Sequence, residues 1–258
     1  MKQWLAVTLG LLSLRGSAAA QPTAPGASWV EAGGFYHRVS GGFGDWKGGY
    51  FRGVFSGARN VWYLDAKAQE AFRDSGVYGA LANVHTFGSR VYSQVSVGGG
   101  TGTYVLPDLR LDAALAVKLG ATKSVVVTGG GTMVKAKSVY QDRAVFGGLA
   151  WYAGPAVVEL SGRVNWSDPN SVRAERIGGA VTVGSAGRRL VVIRGSAGTE
   201  GYQLTGVNST LRRFRSQEVG LSWRQWTGPR FGLVLGGELY HNPFYTRTGV
   251  SLGVFRGW

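Results

Sequence analysis

Between residues 28 and 258 the chain falls into segments of about ten residues in which apolar and polar side chains alternate one by one, separated by glycine-rich turns. A period of two places every second side chain on the same face of a β-strand. In Leu109-Arg-Leu-Asp-Ala-Ala-Leu-Ala-Val-Lys-Leu119, for example, Leu109, Leu111, Ala113, Leu115, Val117 and Leu119 form one face, and Arg110, Asp112 and Lys118 sit on the other. Segments of this length match the roughly 9–11 residues that a tilted strand needs to cross a bilayer. After residue 20 no run reaches the roughly 18 consecutive apolar residues of a membrane helix.

Composition agrees with strands that cross a membrane. Hydrophobic residues make up 44% of the chain and charged residues only 16%, against about 25% charged in typical soluble domains. Alternation lets a chain be short of charge without containing long apolar runs. With 43 glycines, nine tryptophans and no cysteine, tight turns and an interfacial aromatic belt are expected in place of disulfides. The pattern predicts strands near residues 28–39, 49–57, 61–71, 77–87, 90–100, 109–119, 122–132, 144–153, 156–166, 173–184, 188–197, 214–225, 231–240 and 247–258. The expected fold is all-β, a closed antiparallel transmembrane β-barrel of about 14 strands, with 12 as the alternative. Short connections alternate with longer ones such as Ser40 to Gly48, Gly100 to Asp108, Met133 to Arg143 and Gly198 to Arg213, as in barrels with periplasmic turns and external loops.

The N-terminus reads as an export signal. Met1-Lys2, an apolar run from Trp4 to Leu14, and Gly16-Ser-Ala-Ala-Ala20 follow the charged, apolar and small-residue order of a signal peptide. The predicted organisation is a signal peptide over 1–20, a short periplasmic lead-in over 21–27 and an outer-membrane barrel over 28–258. The last segment places Val250, Leu252, Val254 and Trp258 on one face, with Arg256 among them. A strand that runs to the chain end is expected to close the barrel, with Trp258 at the membrane interface.

A first strand rich in glycine and aromatics, Gly44-Asp-Trp-Lys-Gly-Gly-Tyr50, and Gly249-Val-Ser-Leu-Gly-Val-Phe-Arg-Gly-Trp258 together resemble the YaiO family of outer membrane β-barrel proteins. The resemblance implies a barrel in the outer membrane of a Gram-negative bacterium, with a poorly defined activity. The terminal aromatic strand is also similar to the signal read by the barrel-assembly machinery, from which Arg256 departs.

The formal charge of +14 invites a reading as an anion pore or a nucleic-acid binder. Alternation redistributes it. The face opposite the apolar one collects Arg52, Lys67, Arg110, Lys118, Arg163 and Arg224, together with Glu31, Asp65, Asp112, Glu159, Glu218 and Glu238. The lumen is therefore expected to be balanced, its charges either paired to fill a narrow interior or lining a wet channel. Gly232, Gly236 and Gly253 are expected to leave room for either. The positive excess is assigned to the rims: Lys47, Lys135, Lys137, Arg143, Arg212 and Arg213 to loops, and Arg59, Arg90, Arg188 and Arg230 to turns. Expected partners are outer-membrane lipid, lipopolysaccharide and the barrel-assembly machinery, with an acidic polysaccharide as a further candidate and no nucleic acid. Trp29, Trp46, Trp62, Trp151, Trp166, Trp223, Trp226 and Trp258 lie near segment ends and are assigned to the aromatic belt.

No phosphate-loop, dinucleotide or metal-ligand spacing is present, so no cofactor, metal or catalytic residue is assigned. The expected role is non-catalytic, in envelope structure or in passage or handling of surface polysaccharide or small solutes. The alternative is a lipid-modifying enzyme with a site at the rim built on His37 or His241, with Ser40 and Asn242 as nearby partners.

Overall fold

Residues Thr246–Gly257 pair with Trp29–Val39 along their whole length, from Trp29 opposite Gly257 to Val39 opposite Arg247. The sheet thus has no free edge, and every backbone group in the apolar layer finds a partner on a neighbouring strand. The computed structural model describes residues 28–102, 106–137, 140–203 and 211–258. The strands are β1 (Trp29–Val39), β2 (Trp46–Ser56), β3 (Asn60–Ala71), β4 (Asp74–Thr86), β5 (Val91–Gly100), β6 (Leu109–Leu119) and β7 (Val125–Lys135). They continue with β8 (Gln141–Ala153), β9 (Ala156–Asp168), β10 (Val172–Ser185), β11 (Arg189–Gln203), β12 (Leu211–Trp226), β13 (Phe231–His241) and β14 (Thr246–Gly257). Each strand pairs antiparallel with its sequence neighbours, which settles the count at fourteen rather than twelve. The expected signal peptide and lead-in lie outside the described residues.

Outward positions are apolar through the middle of the wall. On β14, Val250, Leu252 and Val254 are 62%, 58% and 58% exposed, while the alternate residues Gly249, Gly253 and Phe255 are buried. Such exposure of aliphatic side chains is stable only where the surrounding solvent is lipid. Trp62, Trp151 and Trp258 point outward near the rim that carries both ends of the barrel.

That rim has the connections 57–59, 87–90, 120–124, 154–155, 186–188 and 227–230. The opposite rim has 40–45, 72–73, 101–108, 136–140, 169–171, 204–210 and 242–245. The first set is the shorter on the whole and marks the periplasmic side. The contrast is smaller than the sequence suggests, because stretches expected to be loops extend the strands instead. β7 continues to Lys135 and β8 starts at Gln141; β11 continues to Gln203 and β12 starts at Leu211. Lys47, Lys135, Arg143 and Arg213 are therefore strand residues whose side chains point outward at the outer rim, beside Arg38 and Arg173. Lys137 does lie in a loop, and the Arg212 side chain lies outside the described residues.

The 40–45 loop is tied down locally. The Tyr36 hydroxyl donates to the Asp45 carboxylate, and the Val39 N–H donates to the same group at 2.9 Å. The two donors, the Tyr36 hydroxyl first, hold the Asp45 carboxyl below the usual carboxylate range.

Candidate functional site in the barrel lumen

All eleven lumenal residues singled out from sequence, from Arg52 to Glu238, lie on inward-facing positions, as does Glu31. They do not form one centre. Near the periplasmic end, the buried Glu31 accepts from Arg224 and lies 3.6 Å from Arg52, whose Nε donates to Asp65 at 3.3 Å. The Arg224 guanidinium is stacked 4.4 Å over Trp29 and 4.5 Å over Phe255.

In the outer half, Glu238 is the hub. It accepts from Arg247 Nε at 3.1 Å and Arg194 Nη2 at 3.2 Å, and lies 4.0 Å from His37. The chain of charges continues from Arg194 to Glu218 at 3.8 Å, from Glu218 to Arg176 at 3.7 Å, and from Arg176 to Glu200. Glu200 also accepts from Tyr240 at 3.2 Å. On the far wall, Asp112 accepts from Arg110 at 2.8 Å, Thr132 at 2.8 Å and Ser96 at 3.0 Å. Arg163 reaches Thr132 and Asn165, each at 3.5 Å. Lys67 lies 5.2 Å from the Phe35 ring and Lys118 lies 5.7 Å from the Tyr92 ring. Glu159 has no ion-pair partner among the described residues.

Every described lumenal ion pair joins residues of one strand or of strands at most three places apart around the ring. The charges run along the wall and do not bridge it to the opposite side. At the outer level β4 to β8 present Tyr78, Arg110, Asp112, Thr132 and Asp142 inward; small inward residues, among them Ala82, Ala114, Ala116, Thr128 and Ala150, lie nearer the periplasmic end, interspersed with Tyr92, Lys118 and Tyr152.

Arg176, Arg194, Arg247, Glu200 and Asp142 belong to the inner wall but were missed in the sequence. Their local patterns explain this. Glu175 and Arg176 are adjacent charges that leave the face of β10 undefined, and Arg194 follows the unbroken apolar run Leu190–Ile193. Glu200 and Asp142 fall in stretches read as loops, and Arg247 stands at a strand start. What marks them is an oppositely charged partner one or two strands away, which the pattern within a single strand does not show.

Two assignments need correction. Trp29, Trp46 and Trp226 face the lumen, not the membrane: Arg224 stacks on Trp29, Arg247 lies 4.1 Å from the Trp46 ring, and Trp226 packs edge-on against Phe255. At Trp29 and Trp46 an arginine inside the wall gains a cation–π contact from the ring. Nor do Gly232, Gly236 and Gly253 leave free room. A Cβ at Gly253 would stand 2.5 Å from the Tyr50 hydroxyl, Phe255 covers Gly232 and Ser251 covers Gly236. The glycines are recesses that accept neighbouring inward side chains.

At the outer mouth Trp46, Phe72, Tyr240 and Tyr245 form a buried aromatic cluster with Val39 and Leu106. Phe72 packs 4.9 Å from Trp46 and 5.6 Å from Tyr245. It does so from a two-residue turn in which Phe72 and Arg73 have φ of 54° and 64°, a conformation that bulky residues rarely adopt. His37 points into the lumen and is stacked on Trp46, whereas His241 faces outward with Nδ1 2.9 Å from the Thr246 hydroxyl. The two histidines thus lie on opposite faces of the wall. The Ser40 hydroxyl accepts from the Thr246 N–H, and the Asn242 side-chain oxygen accepts from the Phe244 and Tyr245 N–H groups.

The model of the YaiO membrane beta barrel domain matches residues 28–203. The chain belongs to the YaiO family. Of the three features that carry the resemblance, the first strand and Gly44–Tyr50 lie inside the matched region and Gly249–Trp258 beyond it. No curated protein sequence matches the chain. In three dimensions this YaiO barrel is similar to the monoaromatic hydrocarbon channel CymD, with a TM-score of 0.58 at 7% identity over 98% of this chain and 93% of that one. It is also similar to a bacterial polysaccharide outer membrane secretin, with 0.54 at 6% identity over 92% and 100%, and to Omp33 of Acinetobacter baumannii, with 0.54 at 9% identity over 90% and 99%. At these identities the likeness is one of fold. Family and architecture together place the protein in the Gram-negative outer membrane as a YaiO-type barrel similar in fold to channels.

Proposed function

We propose that this YaiO barrel is a non-catalytic outer-membrane conduit for a polar, hydroxylated solute of saccharide size. The observation that carries the reading is the course of the ion pairs, which follow the wall and, among the described residues, never join strands on opposite sides of the ring. Charges that only filled a dry interior would be expected to pair across it as well as along the wall, since each needs a partner wherever water is excluded. A paired wall that also offers Tyr92, Tyr152, Ser161 and Glu159 supplies donors and acceptors without a large net charge, which suits a hydroxyl-rich solute. The aromatic cluster at the mouth narrows the outer entrance and makes passage selective. Polysaccharide handling at the surface belongs to the same reading, since a chain of such units would meet the same wall.

The test is uptake of radiolabelled sugars into phosphatidylcholine proteoliposomes that contain the refolded chain. Mono- and disaccharides are expected to equilibrate faster than into protein-free vesicles, and Phe72→Ala is expected to raise the rate. Rates equal to those of empty vesicles for both proteins would refute the proposal.

A further inference from the structure

A second feature lies on the outside of the wall. Two concavities of ≈ 930 Å³ and ≈ 950 Å³ share Gly147, Gly162, Ile177, Ala197, Gln217 and His241, and so form one continuous groove across β8 to β13. The shared residues face outward. The floor is low where outward positions are glycine: Gly129 stands opposite Gly147 and Gly147 opposite Gly162 in one row, which Ile177 and Ala197 continue, and Gly179 stands opposite Gly195 in the row below. A Cβ built at Gly129 or Gly162 would meet nothing within 4 Å. Exposed Leu149, Leu160, Val219 and Leu239 wall the lower part.

The upper end is chemically different. Arg213 and Arg215 enter the groove from the outer rim, both exposed and both without an acidic partner among the described residues. The one carboxylate there, Glu175, is held at 2.7 Å by Arg173. A trough that is apolar below and carries, at the outer headgroup level, two guanidinium groups with no acidic partner among the described residues is complementary to an acyl chain beneath a phosphate.

We infer that this groove seats a phosphorylated glycolipid of the outer leaflet, with an acyl chain along the glycine floor and a phosphate on Arg213 and Arg215. The site lies outside the barrel and does not depend on whether the lumen conducts. A single lipid held against β8 to β12 would also cover the part of the wall where missing side chains leave the least contact with ordinary lipid.

The test is native mass spectrometry of the refolded full chain in detergent, titrated with bisphosphorylated lipid A and with its dephosphorylated form. Wild type is expected to retain one bisphosphorylated lipid A preferentially. Arg213→Gln/Arg215→Gln should weaken that binding about tenfold or more, as expected for the loss of two charge-assisted contacts. Gly162→Leu, which fills the floor, should weaken both lipid forms. Arg38→Gln, a cation of the same rim on the opposite wall, should bind as wild type does. Equal binding by all four proteins would overturn the inference, as would an equal loss in Arg38→Gln. So would a protein dimer that forms in place of the lipid complex and is lost in Gly162→Leu. Each variant's heat-modifiable gel shift shows that it is folded, so loss of binding is separable from loss of the barrel.

Discussion

Replacement of Glu238 by alanine should be among the most damaging single changes on the inner wall. The Arg247 side chain is 0% exposed, and Glu238 holds it through Nε at 3.1 Å. Arg194 would lose its 3.2 Å contact and keep only Glu218 at 3.8 Å. Breaking a buried pair by removing one partner leaves an uncompensated charge and costs about 3–5 kcal/mol. The exposed outward pair Lys47–Glu70, at 3.1 Å with side chains 61% and 39% exposed, provides the control. Glu70→Ala should cost less than about 1 kcal/mol. The double change Glu238→Leu/Arg247→Met removes both charges and should recover most of the loss, so the two effects will not add. The assay is reversible guanidinium unfolding in phosphatidylcholine vesicles followed by tryptophan fluorescence. A Glu238→Ala loss no larger than that of Glu70→Ala would refute the reasoning, as would a double variant as unstable as the sum of its parts.

The same unfolding assay checks three further expectations. Asp112→Ala strands Arg110 and removes the acceptor of Thr132 and Ser96, and should cost about 3 kcal/mol. Leu252→Arg places a charge on the lipid face near mid-strand and should cost about 2–4 kcal/mol. Gly253→Ala must displace Tyr50, whose hydroxyl would stand 2.5 Å from the new Cβ; it should cost about 1–3 kcal/mol, with Tyr50→Ala in the same chain relieving the overlap. For pH, the folded-state lowering at Asp45 means that its contribution is present above the ordinary carboxylate range and is lost as pH falls through the lowered value. Limited proteolysis of the 40–45 loop should therefore accelerate in acid, while Asp45→Asn should be cut at a rate that does not change with pH.

Much of the architecture was legible because strand alternation in a barrel has one job per face. β6 reads without ambiguity, since Leu109 to Leu119 and Arg110 to Lys118 separate cleanly, and its predicted bounds coincide with the observed ones. Legibility fails where the inner wall needs something other than a polar residue. The pattern starts β7 three residues early because Thr122-Lys-Ser124 looks like strand, whereas Lys123 adopts φ 54° and belongs to the turn. β11 extends past Gly198 to Gln203 and β12 starts at Leu211, because Glu200, buried inside and bonded to Arg176 and Ser216, continues the ladder through a stretch whose glycines and threonine look like a loop. The inner tryptophans mislead for a related reason: nothing local distinguishes a tryptophan that meets lipid from one that meets an arginine two or three strands away. The candidate site was visible residue by residue, but not as ladders, because the register that joins Arg194 to Glu238 is a property of the closed ring.

The most direct test of a conduit with a paired wall is single-channel conductance of the refolded chain in a planar bilayer, in symmetric and asymmetric salt. The account predicts discrete, ohmic openings with a reversal potential near zero, because inward cations and anions are matched along the wall, and longer openings in Phe72→Ala. Persistent silence from a barrel shown to be folded, in both proteins, would contradict it.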